Sequence, residues 1–176
     1  MSTESPAAPS LKQVALGDLD HELANSRAVL ERVPDEHLDW KPHPRSFSLG
    51  SLALHVARLP YWIQNTLEND VFDLSQPMPR AAPPASRQEI LDTFEQTVAA
   101  MRGALDAADD AALMRPWEMR MGDKVLQRMP KLAVVRSFGI SHFIHHRGQL
   151  TVYLRQLDVP LPPIYGPTAD EQPNFG

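Results

Sequence analysis

The sequence contains no cysteine. That excludes disulfides, thiolate metal sites, iron–sulfur clusters and a cysteine nucleophile, and it leaves any metal to His, Asp or Glu. Positive charge is also scarce: 17 Lys+Arg stand against 22 Asp+Glu, a formal net charge of -5, and no stretch sets basic residues among aromatics. The electrostatic footprint of a nucleic-acid binder is therefore missing. No apolar run approaches the ~18 residues of a membrane span. The first nine residues have neither the basic start nor the apolar stretch of a secretory signal. These absences lead us to expect a cytoplasmic protein with no nucleic-acid or membrane partner.

What is present suits one compact domain: 176 residues, 43% hydrophobic and 22% charged, enough for a core and too few for two ordinary domains. Proline is abundant and unevenly placed, at Pro42 and Pro44, at Pro77, Pro79, Pro83 and Pro84, and at Pro160, Pro162, Pro163 and Pro167. Between these clusters lie helical patterns. A first helix is expected from about Leu11 to Val33, opened by the capping-box pattern of Ser10 and Gln13, with Leu16, Leu19, Leu23 and Leu30 on one face. A second starts after Ser48 and carries Leu49, Leu52, Val56, Leu59, Ile63 and Leu67 at spacings of three and four, with Pro60 expected to kink it. A third follows the capping box Ser86 to Glu89, with Leu91, Phe94, Val98, Met101 and Leu105 as its stripe. The last runs from about Lys131 to Leu157. Between Trp117 and Met129 the period changes to two around Gly122-Asp123, which predicts a small β-hairpin.

The expected fold class is all-α: a four-helix bundle with long crossover connections and a small β-hairpin before the last helix. Residues 1–9 are expected to be disordered, 10–160 to form the bundle, and 161–176 to lie over it as a Pro-rich tail.

Seven histidines carry the chemistry. His55 stands three residues after Leu52 and four before Leu59, beside the apolar stripe of the second helix, where an imidazole needs a partner. His142 and His146 are one turn apart on the last helix and can aim at one point. Two such rings plus a third from a facing helix make a three-nitrogen site with a position left for water or substrate, the arrangement of catalytic zinc. A hydrogen-bonded core histidine and a chance i,i+4 pair are the plain alternative. The segment is no zincin, because Phe143 stands where that motif needs Glu. His21, His37 and His43 fall on polar or turn segments and are read as surface residues.

His145 competes with His146 as the partner of His142. At about 100° per residue, His146 lies near +40° from His142 and His145 near -60°. Val135 and Tyr153 fall near +20°, Leu157 near +60°, and Leu132 and Leu150 near +80°, so the buried face is centred close to His146. Ser141 beside His142 points about 100° away from it and lacks any oxyanion-hole motif, so it is not read as a nucleophile. Arg147 and Arg155 are assigned to a solvated face or to ion pairs with Asp158, Asp170 or Glu171 ahead of the alternative that either holds an anionic ligand, and the three tryptophans to core or subunit contacts.

The segment Trp40 to His55 (WKPHPRSFSLGSLALH) resembles the start of the second helix in the DinB/YfiT-like superfamily. So does His142-Phe-Ile-His-His146-Arg-Gly-Gln149-Leu with the Tyr153-Leu-Arg that follows, and the tail from Ile164 to Glu171 and the hairpin are similar as well. The resemblance covers nearly the whole chain. It implies a four-helix bundle of unusual connectivity holding one divalent metal ion per chain, commonly zinc or nickel, on three histidines. Carried over position by position, these are His55, His142 and His146. Several members are metal-dependent transferases that activate a low-molecular-weight thiol, such as bacillithiol, mycothiol or glutathione, for attack on an electrophile. Members are often homodimers. An ergothioneine-pathway branch binds iron with a Glu two residues after the last His; here that position is Gly148, against an iron oxygenase.

A metal-dependent thiol S-transferase is thus the expected function, with a small thiol and an electrophile as partners. A non-enzymatic metal-binding or stress-associated protein is the alternative, and a purely structural bundle acting through oligomer contacts is a third reading. Gln149 and Tyr153 follow His146 along one face and could hydrogen-bond a ligand, orient a histidine or pack in the core.

Overall fold

The computed structural model describes residues 8–77 and 81–173. Residues 1–7, most of the segment expected to be disordered, lie outside these, as do Pro79 and the last three residues of the tail.

The expected first helix divides into α1 (Leu11–Ala15) and α2 (Leu19–Leu30). The capping box forms: Ser10 Oγ accepts the Gln13 N–H at 3.1 Å, and Gln13 Oε1 accepts the Ser10 N–H at 2.8 Å. The break falls at Gly17, a poor helix former. Ties on either side hold the break: Asp110 accepts the N–H groups of Leu11 and Lys12, while Arg136 donates to the Ala15 carbonyl before it and to the Asp18 carboxylate after it. The second helix divides at its proline into α3 (Leu49–Arg58) and α4 (Pro60–Glu68). Pro60 has no N–H to continue α3 but suits the first turn of α4, where that donor would lack a partner anyway.

The strand β1 (Val71–Asp73) precedes α5 (Arg87–Ala107) and α6 (Asp110–Met114). Ser86 caps α5 through the Glu89 N–H, but the Glu89 carboxylate takes the N–H of Ala85, one residue before the cap. Then come β2 (Pro116–Met121) and β3 (Lys124–Pro130), joined at Gly122, whose φ of +58° suits glycine. The hairpin is therefore present, but as part of a three-stranded sheet in the order β1-β2-β3. β1 pairs parallel to β2, with Phe72 opposite Met119, and Asp73 accepts the Gly122 N–H at 2.9 Å.

The last helical stretch is continuous but not uniform. After α7 (Lys131–Val134), residues Val135–Ser141 are π-helical, and α8 (His142–Gln156) resumes the α-helical turn. Gly139 lies in the π segment, against Ile63 of α4; a Cβ there would stand 2.6 Å from Ile63 Cγ1.

The core gathers Leu23, Val29 and Leu30 of α2, Leu49, Leu52 and Val56 of α3, Ile63 of α4, Phe94 and Met101 of α5, and Leu150 and Leu154 of α8. α5 packs along α3 and α4, while α8 packs on α3 and α2. The fold is mostly helical with a small three-stranded sheet, and no helix among the described residues is long and apolar enough to cross a membrane. From the C-terminal segment, Leu161 and Ile164 pack against the core, and Asp170 pairs with Arg155.

Candidate metal centre

Two helices supply the site. α3 starts at Ser48, whose hydroxyl accepts the Ser51 N–H, and its apolar stripe locks one face into the core. His55 sits at the edge of that face, half-buried. α8 places His142 and His146 on successive turns beside it, both half-buried, while His145 is exposed. One nitrogen from each of His55, His142 and His146 can be chosen so that all lie within 4.8 Å of one another. The ring centroids are 5.4 Å apart for His55 and His142, 4.5 Å for His55 and His146, and 4.6 Å for His142 and His146.

The hydrogen bonds test whether this cluster suits a cation. Gln149 Oε1 lies 2.8 Å from His146 Nδ1, which as N–H donates to it and leaves a lone pair on Nε2. That Nε2 lies 2.9 Å from His142 Nε2. Without an ion, His142 must donate from Nε2, and its Nδ1 is then a buried acceptor with no hydrogen-bond partner. If His142 carries its proton on Nδ1, on the side of the Phe138 carbonyl, two lone pairs face each other. A cation between the two Nε2 atoms resolves this conflict. The donor set of three imidazoles and no carboxylate suits zinc or nickel better than magnesium or calcium.

All three rings favour the neutral form that ligation needs. Burial first, and then the charges of His146, His142 and Arg58, lower the pKa of His55 to about 4. Burial also lowers His142 and His146, against smaller raising effects from the Phe138 carbonyl and Gln149 respectively. Phe47, exposed, stacks on the outer side of His55 with centroids 6.1 Å apart.

The structure brings together the three histidines singled out in the sequence. Gln149 bonds a histidine of the cluster, whereas Tyr153 packs edge-on against Trp40 at 5.8 Å. His21, His37 and His43 are exposed. Sequence reasoning missed Phe47, which lies in a loop without periodicity. It also missed Arg58, although its place one turn beyond His55 could be read from helical spacing.

Arg147 differs from its sequence assignment. It is buried and forms an ion pair at 2.6 Å with Glu22 of α2, and Tyr165 joins both, accepting from Arg147 at 2.7 Å and donating to Glu22 at 2.8 Å. The signal was Glu22 itself, set on the apolar stripe between Leu19 and Leu23.

Comparison with known proteins agrees along most of the chain. The model of the DinB family matches residues 21–174. Uncharacterized protein YrdA of Bacillus subtilis (strain 168) is 31% identical over 154 residues, 86% of each chain. A DinB-like protein from Bacillus cereus ATCC 10987 superposes with a TM-score of 0.70 at 23% identity, over 89% of this chain and 98% of that one. The DinB-like protein YjoA of Bacillus subtilis gives 0.64 at 17% identity, over 85% and 96%. At such identities these two structures speak for the fold alone.

Proposed function

The chain belongs to the DinB family, and on that premise we propose that it is a metal-dependent thiol S-transferase whose ion is held by His55, His142 and His146. The helical stretches α1–α2, α3–α4, α5 and α7–α8 are then the four rods of a bundle, with α3 and α8 as the pair that builds the site. The observation that carries the reading is the convergence of three neutral imidazoles from two helices with no carboxylate among them. Such a set leaves coordination positions for a ligand.

When bound, zinc or nickel supplies a Lewis acid that lowers the pKa of a coordinated thiol. The rest belongs to the chain. Gln149 fixes the tautomer of His146, so that Nε2 faces the cluster. The buried stripe of α3 fixes the position of His55, and Phe47 covers its outer face with an apolar surface on which an electrophile can rest.

The test is metal analysis of the purified protein after reconstitution with zinc and with nickel, followed by a thiol-consumption screen. Candidate thiols such as glutathione and bacillithiol are paired with small electrophiles. Expected are one ion per chain and turnover that is lost on stripping the metal and in His55→Ala. A loaded protein that never exceeds the stripped one leaves metal binding without transfer.

A further inference from the structure

The three histidines have basic side chains as neighbours on both helices. Arg58 stands one turn beyond His55 on α3, and His145 lies beside His146 with ring centroids 4.9 Å apart; both are exposed. Among the described residues no carboxylate joins the cluster, although the chain as a whole is acidic.

Among the described residues the Arg58 guanidinium also has no ion-pair or hydrogen-bond partner, whereas every other arginine except Arg45 has its guanidinium on a carboxylate or a backbone carbonyl. Arg45 lies in the loop before α3, two residues ahead of Phe47, which stacks on His55. The acidic surface has thus drawn its arginines into pairs and left these two free, one of them beside the cluster.

A divalent ion on three neutral imidazoles keeps its full charge, and a guanidinium one turn along α3 adds to it. An anionic ligand relieves both, and the flat guanidinium fork matches a carboxylate in particular. We propose that Arg58 is a specificity-determining residue of this site, pairing with a carboxylate carried by the thiol substrate. The substrate class is then a carboxylated thiol rather than a neutral one. This rests on the metal-site reading above.

The experiment uses the full chain loaded with cobalt(II), whose absorption spectrum reports thiolate ligation without any turnover. It is titrated with 3-mercaptopropionate and with its neutral counterpart 3-mercapto-1-propanol. The carboxylated thiol should bind about tenfold more tightly at low ionic strength, and added salt should shrink that preference. Arg58→Gln should bring the carboxylated thiol to the level of the neutral one and leave the neutral thiol unchanged, while Arg58→Lys should keep part of the preference. A purely structural role at the C-terminal end of α3 would instead weaken both thiols equally in Arg58→Gln. That result, or equal binding of the two thiols to the unaltered protein, overturns the proposal while leaving the metal site standing. Failure to take up cobalt, or the absence of any thiolate band, overturns the metal-site reading and this inference with it.

Discussion

His142 and His146 hold their Nε2 atoms 2.9 Å apart on successive turns of α8, with Gln149 on the far side of His146. Two imidazoles in that posture compete for one proton or share one cation. We expect reconstituted protein to carry one divalent ion per chain, with His146→Ala weakening it by at least about tenfold, as loss of one of three ligands does. His145→Ala should keep the metal, because its ring is exposed outside the cluster. Competitive chelator titrations on both variants, with helicity checked by circular dichroism, read this directly. Loss of metal in His145→Ala with retention in His146→Ala would reverse the ligand assignment.

Acid should destabilise the metal-free protein. Burial, helped by the charges of His146, His142 and Arg58, holds His55 at about 4 against an ordinary 6.5, so between these values the unfolded chain takes up a proton that the folded chain refuses. Stability from this group is therefore fully present above pH 6.5, declines as pH falls through that value, and is lost below about 4. His142 and His146 shift in the same direction. The Tm of stripped protein should fall from pH 7 to pH 5 more steeply than that of His55→Gln, which has no imidazole to protonate at that position. Parallel slopes in the two proteins would remove His55 as a cause.

The helices and the histidine cluster were legible because both follow one rule, side chains three and four apart sharing a face. His55 could be placed from Leu52 and Leu59 alone. The rule stops where the backbone changes period. Leu132 and Val135 precede or begin the π segment, so 100° per residue does not carry across to His142. The choice of His146 holds because Leu150, Tyr153 and Leu157 lie after it. β1 left no signal, since three residues cannot show an alternation and its partner is more than forty positions away. Arg147 was misread because its partner Glu22 comes from another helix, and no local pattern announces an ion pair between them.

That pair gives the third expectation. Arg147 and Glu22 are both buried, and removing one leaves the other without compensation. Arg147→Met should cost about 3–5 kcal/mol in urea unfolding. Tyr165→Phe removes only a shared hydroxyl and should cost about 1 kcal/mol. In the Arg147→Met background the Tyr165→Phe cost should change, because both residues act on Glu22. Strict additivity would mean that the three side chains do not work as one network.

The last expectation concerns the π segment and how it sets the site. Gly139 packs so closely on Ile63 that an added Cβ would stand 2.6 Å from Cγ1 and 3.2 Å from Cδ1. Cγ1 is bonded to the Ile63 Cβ and cannot swing clear as the far end of a long side chain would, and Ile63 is itself buried. Gly139→Ala must therefore push the π segment away from α4, at a cost of about 1–3 kcal/mol. For a chain of this length that is a Tm lower by roughly 2–12 °C. His142 lies three residues further on, so the displacement should also loosen the cluster and weaken metal binding. Ile63→Ala opens the space that the new methyl needs. The double variant should then be more stable than the two single costs added together would allow, and it should recover part of the metal affinity. Differential scanning calorimetry and the same chelator titration decide the matter. If Gly139→Ala melts and binds like the unaltered protein, the close approach of the π segment to α4 does not position His142.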